Sequence, residues 1–299
     1  MVPNSIISVH NSSKNKTKSP SVSFPKGCNF SSTTLKQPAK HQQSGLVNKG
    51  NTCYINAISQ AIKPLSGFWS ASSNNADPPS PLLVSFRKLM ALLDSSKTFV
   101  DPSFLLISLE NSLKKAGRTN FEYNKQQDAV EILDHIIDIF TDYSASARRI
   151  ISLTSSIEIS CDSCYQFYSN VDDCFVLKLS IHKTVQASLN SIFLSESMSG
   201  DNAPFCSVCE SKQDAESHFA IRQVGDYLII QFLRFVHSNG VCSKKLDPVI
   251  CSPFLEVPIK VDDEVSTKRK FALESGICHS GKIDSGHYTA FVWNENCQS

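Results

Sequence analysis

The chain has 299 residues, 41% of them hydrophobic and 19% charged, which is enough for one large domain or two small ones with a hydrophobic core. This composition argues against a disordered or fibrous chain. The 29 basic and 28 acidic residues leave a formal net charge of +1, so no overall field attracts nucleic acid or an anionic membrane. Specificity therefore has to come from local sites.

The sequence predicts neither a membrane span nor export. Its longest apolar stretch, Tyr227–Val236, is interrupted by Gln231 and Arg234 and is shorter than the roughly 20 residues that a bilayer span needs. The N-terminus lacks the apolar region of a secretory signal. The 11 cysteines are an odd number, which argues against a disulfide framework. We expect an intracellular protein of the cytoplasm or nucleus, in which some cysteines are ligands or nucleophiles.

Residues 1–44 differ in composition from the rest of the chain. They are rich in Ser and Lys, contain no Asp or Glu, and include four prolines. Such a segment is typical of disorder, so we predict a disordered basic tail over residues 1–44 and a globular domain over residues 45–299. A mitochondrial presequence is also Ser-rich, but it uses Arg, which this segment lacks.

The globular part begins with helices and continues with strands. Apolar spacing predicts a helix over Cys53–Ile62, with Thr52 or Asn51 as its cap, and a second helix over Gln126–Phe140. Short segments rich in Val, Ile, Leu and aromatics follow and predict five strands: Ser156–Ser160, Phe175–Ile181, Tyr227–Phe235, Phe254–Ile259 and Tyr288–Trp293. This order predicts an α+β fold.

Two cysteine pairs of equal spacing predict a metal site. Cys161 and Cys164 form one pair, and Cys206 and Cys209 form the other. Four thiolates in two tight turns suit a tetrahedral Zn²⁺ ion whose role is structural. Cys174 is an alternative ligand. Two unrelated pairs of reduced thiols, or a thioredoxin-like redox motif, are the competing interpretations.

Cys53 is the candidate nucleophile. It opens a predicted helix after a Gly/Asn turn, and a helix N-terminus favours the thiolate form of a cysteine and offers N–H groups to an oxyanion. Asn48 can add a side-chain donor. His287 stands where a flexible Gly turn enters a strand and is the candidate base. A buried structural cysteine and a surface histidine are the simpler interpretation of these two residues.

Five ordered features resemble landmarks of the ubiquitin-specific proteases, a family of deubiquitinating cysteine peptidases. Gly45–Gln60 is similar to the family's cysteine box, and Asp284–Val292 is similar to its histidine box. Between them, Gln126–Glu131 is similar to the QQDA helix and Tyr227–Phe235 to the basic-aromatic strand. The paired cysteines are similar to the zinc ribbon. The resemblance covers residues 45–299 and is specific because all five features occur in the right order.

The resemblance implies a papain-like cysteine protease fold with a helical thumb, a β-rich palm and zinc-ribbon fingers. It also implies hydrolysis of the peptide or isopeptide bond after the C-terminal glycine of ubiquitin. Ubiquitin and ubiquitinated proteins would be the partners of a monomeric enzyme that needs no catalytic cofactor. In this scheme Cys53 attacks the carbonyl, His287 moves the proton, and Asn48 helps to hold the oxyanion.

Four further residues would contact the substrate if the resemblance holds. Gln127 and Asp128 would lie near the ubiquitin tail, although a helix cap and a first-turn acid would explain them equally well. Gly286 and Tyr288 would shape a narrow channel for the terminal glycines.

The sequence departs from the family after the histidine box. The family supplies a third catalytic residue, an Asp or Asn, and then a core strand, but this chain ends at Ser299 without a matching segment. Asn294, Glu295 and Asn296 are acceptors in principle. Gln231 replaces a His common in the family and keeps hydrogen-bonding capacity. The second hypothesis is therefore a divergent, C-terminally incomplete chain that binds ubiquitin as a catalytically impaired scaffold.

Overall fold

The computed structural model of the chain describes residues 5–11, 44–71, 80–238, 241–261, 266–282 and 285–293. Most helices come early in these ranges, and all but one of the strands come later. None of the described helices is long and apolar enough to cross a membrane.

The helices bury one apolar face each. In α5 this face repeats every three to four residues, and Asp128 caps the helix by accepting a hydrogen bond from the backbone N–H of Val130 at 2.8 Å. The helices of the described residues are α1 (Cys53–Ile62), α2 (Ser66–Ala71), α3 (Pro81–Ser95), α4 (Ser103–Lys115), α5 (Ala129–Tyr143), α6 (Ala145–Ile151) and α7 (Val185–Ser191).

The central sheet has six strands. Their order is β12 (Phe254–Lys260), β13 (Ser266–Gly281), β1 (Ser5–Asn11), β9 (Tyr227–Phe232) and β4 (Val176–Leu179), and β14 (Gly286–Val292) pairs with the second half of β13. All of these neighbours are antiparallel except β4 and β9, which are parallel.

A second sheet of four strands lies beside the central one. Its order is β3 (Phe167–Cys174), β2 (Leu153–Cys161), β8 (Ala215–Val224) and β5 (Glu196–Met198). Two small hairpins complete the described strands: β6 (Phe205–Cys206) with β7 (Ser211–Lys212), and β10 (Phe235–Ser238) with β11 (Val241–Lys244). A single 3-10 turn covers Gly200–Asn202.

Both faces of the central sheet are buried. On β9, Tyr227 and Ile229 pack into the core formed with α1 to α6, whereas Leu228, Ile230 and Phe232 pack into a second core with α7 and β12. Alternate side chains of a strand point to opposite faces, so one strand serves both cores. This explains why β9 is a continuous apolar run.

The α+β fold class and the main predicted elements are confirmed. Helix α1 has the predicted bounds, Cys53–Ile62. Helix α5 begins three residues later than predicted because Asp128 is its N-cap. The predicted strand Tyr227–Phe235 is split, since β9 ends at Phe232 and β10 begins at Phe235.

The prediction of a disordered tail over residues 1–44 is wrong for Ser5–Asn11. These residues form β1, which pairs with β9 on one side and with β13 on the other. Val9 is only 3% exposed and belongs to the second core. A strand with hydrogen-bonded neighbours on both edges satisfies its backbone groups inside the sheet. The rest of the predicted tail, residues 12–43, lies outside the described residues.

A buried carboxylate links the two sheets. Glu158 on β2 is 5% exposed and accepts hydrogen bonds from Arg222 on β8 and from Lys260 on β12, the latter at 2.7 Å. Burial alone would raise the pKa of Glu158. The hydrogen bond and charge of Lys260, together with the charge of Arg222, outweigh burial and lower it.

We predict that Val9→Asp destabilises the protein by roughly 2 to 4 kcal/mol, because it places an unpaired carboxylate in the second core. Urea unfolding followed by circular dichroism measures this change. Val261→Asp is the matched control, since Val261 is 56% exposed and should tolerate the carboxylate. Equal stabilities of Val9→Asp and wild type would contradict the placement of β1.

We further predict that Glu158→Gln lowers the free energy of unfolding by about 2 kcal/mol at pH 7, since Arg222 and Lys260 lose their counter-charge. The pKa of Glu158 is lowered in the fold, so the difference is fully present above the ordinary Glu pKa of about 4.3. It should shrink as the pH falls through the lowered folded value. Urea titrations of both proteins between pH 7 and pH 3 measure this, with exposed Glu216→Gln as the control. A pH-independent difference would rule out the charge as its cause.

Candidate active site and metal centre

The turn before α1 is fixed by the side chain of Asn48. Its Oδ1 accepts hydrogen bonds from the backbone N–H of Gly50 (3.1 Å), from the N–H of Thr52 (3.2 Å) and from the Thr52 hydroxyl (3.0 Å). Gly50 and Asn51 both have a positive φ, as a tight turn requires. The oxygen of Asn48 is therefore fully used as an acceptor, whereas its Nδ2 has no partner among the described residues. This exposed amide can donate to a substrate.

Thr52 is the N-cap residue of α1, as predicted, but its side chain makes no capping hydrogen bond. Thr52 donates its hydroxyl to Asn48 instead, and Asn51 donates its Nδ2 to the carbonyl of Asn124. The first-turn N–H groups of a helix have no partner inside the helix. Cys53, the first residue of α1, thus lies beside donors that no side chain has taken.

His287 reaches the same region on β14, because α1 packs directly on this strand. His287 is the second residue of β14, pairs with Ser280 and is exposed. Cys53 is 9% exposed and lies in the same buried cluster as Tyr288, the next residue along β14. The fold thus brings the elements of the two predicted catalytic residues together, although the sequence separates them widely.

Tyr288 connects this strand to the start of α5. Its hydroxyl accepts a hydrogen bond from the backbone N–H of Ala129 at 3.3 Å, next to the buried cap Asp128. Burial and the charge of Asp128 raise the pKa of Tyr288, so the phenol stays protonated. Asp128 and Tyr288 therefore both accept hydrogen bonds from backbone N–H groups in the first turn of α5.

Two neighbouring glutamines have different surroundings. Gln127 is half-buried and donates its Nε2 to the carbonyl of Glu122 at 3.1 Å. Gln126 accepts a hydrogen bond through its Oε1 from the backbone N–H of Gly286 at 3.2 Å. Gln126 was not among the predicted site residues, although it belongs to the recognisable Gln-Gln doublet. Through this hydrogen bond, Gln126 connects the loop before α5 to Gly286, the residue before His287.

Gly286 is required by its neighbours within the hairpin. A Cβ atom at this position would lie 2.2 Å from Nε2 of His279 and 2.3 Å from the carbonyl oxygen of Ser280. His279 and its partner Lys244 were not among the predicted site residues. Asp284 of the histidine box and the candidate acceptors Asn294, Glu295 and Asn296 lie outside the described residues.

The two cysteine pairs meet at one point. Cys161 and Cys164 flank the turn between β2 and β3, while Cys206 and Cys209 belong to the β6–β7 hairpin. The four Sγ atoms lie within 4.8 Å of one another, and the Cys164–Cys206 and Cys161–Cys209 pairs are 3.5 and 4.0 Å apart. These separations are too long for disulfides, and all four cysteines are free.

The cluster fits a tetrahedral metal site. Four sulfurs at about 2.3 Å from a Zn²⁺ ion would be about 3.8 Å from one another, close to the separations above. Tyr168 supports the site: its hydroxyl lies 3.5 Å from the sulfur of Cys206, and this contact lowers the pKa of that thiol. Cys174, the alternative ligand, pairs with Leu153 at the other end of β3 and is not part of the cluster.

These features define a class: an α+β protein with a cysteine at the start of a helix that packs on a histidine-bearing strand, and with a separate Cys₄ cluster. Comparison with known proteins agrees. The family model of the ubiquitin carboxyl-terminal hydrolases matches residues 44–298. The chain belongs to this family.

Individual relatives are distant. Ubiquitin carboxyl-terminal hydrolase 26 of Arabidopsis thaliana is 25% identical over 286 residues, which cover 88% of this chain and 26% of that protein. Ubiquitin carboxyl-terminal hydrolase 48 of Danio rerio is 25% identical over 279 residues, which cover 83% of this chain and 25% of that protein. The chain thus spans about a quarter of the length of these relatives.

The fold is that of a solved deubiquitinase. A chain in the structure of the SAGA Ubp8/Sgf11/Sus1/Sgf73 DUB module bound to ubiquitin aldehyde superimposes with a TM-score of 0.69 at 21% identity. The match covers 88% of this chain and 65% of that chain. The predicted thumb-and-palm cysteine protease fold is confirmed by this likeness.

We predict about one zinc ion per purified chain, measured by elemental mass spectrometry. The double variant Cys161→Ser/Cys206→Ser should lose the metal, because it removes one thiolate from each pair. Cys174→Ser is the matched control and should keep it. Purification of a folded wild type with no bound metal would contradict a zinc site here.

Proposed function

We propose that this chain is the catalytic domain of a cysteine-type deubiquitinase, which hydrolyses the peptide or isopeptide bond after the C-terminal glycine of ubiquitin. The observation that carries the proposal is the packing of α1, which starts at Cys53, on β14, which carries His287. Family membership supports the choice of ubiquitin as substrate.

The first half of the proposed reaction forms a thioester. Cys53 Sγ attacks the carbonyl carbon of the terminal glycine, and His287 takes the thiol proton. The carbonyl oxygen becomes an oxyanion, which the Nδ2 of Asn48 and the uncapped N–H groups of α1 can stabilise. The C–N bond then breaks, and His287 gives its proton to the leaving amine.

The second half releases ubiquitin. A water molecule attacks the thioester carbon while His287 takes a proton from it, and the same oxyanion donors act again. The C–S bond then breaks, and His287 gives the proton to the leaving sulfur, which restores the Cys53 thiol. The exposed position of His287 on β14 supports both proton transfers, because the amine and the water have to reach its ring from solvent.

The ubiquitin tail would approach along the edge formed by β14 and the start of α5. Gly286 supports a narrow channel, since there is no room for a side chain at that position, and Tyr288 is held to the N–H of Ala129. Gln127 is half-buried at this edge and can contact the tail, whereas Asp128 is buried and caps α5.

Zn²⁺ is the metal proposed for the Cys₄ cluster, as a structural ion at the tips of the fingers, with no metal needed at Cys53. The enzyme is proposed to act as a monomer on ubiquitinated proteins in the cytoplasm or nucleus. The free cysteines of the described residues support a reducing compartment, which keeps both the nucleophile and the metal ligands as thiols or thiolates.

The test is intact-mass detection of a covalent adduct between the chain and a ubiquitin whose C-terminus carries a thiol-reactive electrophile. We predict one ubiquitin added per folded chain and none on urea-unfolded chain. Cys53→Ala should form no adduct, and its kcat on a ubiquitin C-terminal amide should fall on the order of 10⁴-fold or more.

Cys251→Ala is the matched control, because Cys251 is as buried as Cys53 but lies in the second core. It should react like the wild type. An adduct that persists in Cys53→Ala would contradict the assigned nucleophile. A folded wild type that binds ubiquitin but forms no adduct would favour the catalytically impaired scaffold over the enzyme.

A further inference from the structure

Lys244, at the end of β11, reaches across to the hairpin that carries His287. Its Nζ lies 2.9 Å from Nδ1 of His279, 3.1 Å from the carbonyl oxygen of His279 and 3.1 Å from the carbonyl oxygen of Gly281. An ammonium group has three N–H donors and no acceptor, so it donates to all three atoms. The side chain is half-buried and also lies over the ring of Phe235.

The residues that Lys244 binds lie opposite the two neighbours of His287. In the pairing of β13 with β14, His279 is opposite Tyr288, Ser280 is opposite His287, and Gly281 is opposite Gly286. The two carbonyl groups that accept from Lys244 therefore flank the position of His287 on the facing strand. A single cation fixes this end of the hairpin on both sides of the histidine.

The ring of His279 lies between Lys244 and strand β14 and contacts both. Because Nδ1 accepts from Lys244, the proton of the neutral ring is on Nε2, which faces the position where a Cβ of residue 286 would lie. The ring is also 4.7 Å from the ring of Tyr288. His279 thus fills the space between Lys244 and the backbone just before His287.

The electrostatics agree with a neutral ring. Burial, the charge of Lys244 on β11 and the nearby His287 on β14 lower the pKa of His279 to about 4. A protonated His279 could not accept from an ammonium group, so the hydrogen bond persists throughout the neutral pH range.

The opposite side of the turn is held as well. The N–H of Gly286 donates to Oε1 of Gln126, and the backbone of Gly281 is in the left-handed region with Ser285 packed against it. The hairpin end is therefore held between the loop before α5 and β11. Of these two contacts, the one with β11 is made by a charged side chain.

We propose that Lys244 is a positioning residue for His287: it clamps the end of the β13–β14 hairpin through the carbonyls of His279 and Gly281 and through the His279 ring. The inference rests on the proposed function, in which His287 moves the proton. Lys244 touches neither the substrate nor the reacting atoms. It acts by fixing the backbone that aims the imidazole at Cys53.

The test replaces Lys244 by Met, which keeps the length and apolar stem of the side chain but has no donor. A small displacement of a catalytic group is costly, so we expect kcat on a ubiquitin C-terminal amide to fall on the order of 10-fold to 100-fold, with KM within about twofold of wild type. Lys245→Met is the matched control, since this exposed neighbour hydrogen-bonds to the described residues only through its backbone, and it should keep the wild-type kcat.

Histidine nuclear magnetic resonance supplies a measurement that does not depend on turnover. In wild type, His279 should show the tautomer protonated on Nε2 and the lowered pKa. In Lys244→Met the pKa of His279 should rise, and the ring signals of His287 should shift or broaden. Lys244→Arg, which keeps the charge and the donors, should restore part of the lost kcat and of the His287 signal.

The outcomes separate the two proposals. Wild-type kcat in folded Lys244→Met, measured in a chain whose turnover requires Cys53, would overturn the role of Lys244 and leave the proposed function intact. Absence of Cys53-dependent turnover in wild type would overturn the proposed function. In that case unchanged His287 signals in Lys244→Met would also overturn the clamp, whereas shifted signals would support it.

Discussion

The pairing of β13 with three other strands is the constraint on which the site depends. One edge of β13 pairs first with β12 and then, from Ser275 onward, with β14, while its other edge pairs with β1. A shift of one residue in a strand register moves every side chain to the opposite face. The side of the sheet to which His287 points is therefore decided by the β13–β14 register, and the contacts at Gly281 and Gly286 fix that register at its end.

The elements that could be predicted from the sequence are those whose pattern of apolar residues and chain breaks lies within a short stretch of the chain. Helix α1 repeats its apolar residues at helical spacing and stops before Pro64, so its bounds follow from a short window. Strand β1 is different, because a Ser- and Lys-rich tail gives no signal for a buried strand. Its partners on β9 and β13 lie more than two hundred residues away, and only the assembled sheet creates the slot in which Val9 is buried.

The same division holds within the candidate site. Cys53, His287 and Asn48 lie in recognisable sequence motifs. Gln126, His279 and Lys244 contribute through contacts between segments that are distant in sequence. Gln231 shows a further limit. Its hydrogen-bonding capacity was expected to compensate for the loss of a histidine, yet its buried Oε1 has no partner in the described part of the chain. Whether a buried polar atom is satisfied depends on its neighbours in space.

The second sheet depends on polar contacts and on a cysteine cluster, because it buries little apolar surface. Most residues of β3 are exposed, and the β6–β7 hairpin is only two residues long on each side. A hairpin of that size has no core of its own, and the four converging cysteines form a cluster that could hold its tip by binding a metal. Within the sheet, Glu158 on β2 is held by Arg222 on β8 and by Lys260 on β12 of the central sheet. Neither group shares a side chain with Cys53 or His287, so the contacts that stabilise the second sheet are separate from those that position the two predicted catalytic residues.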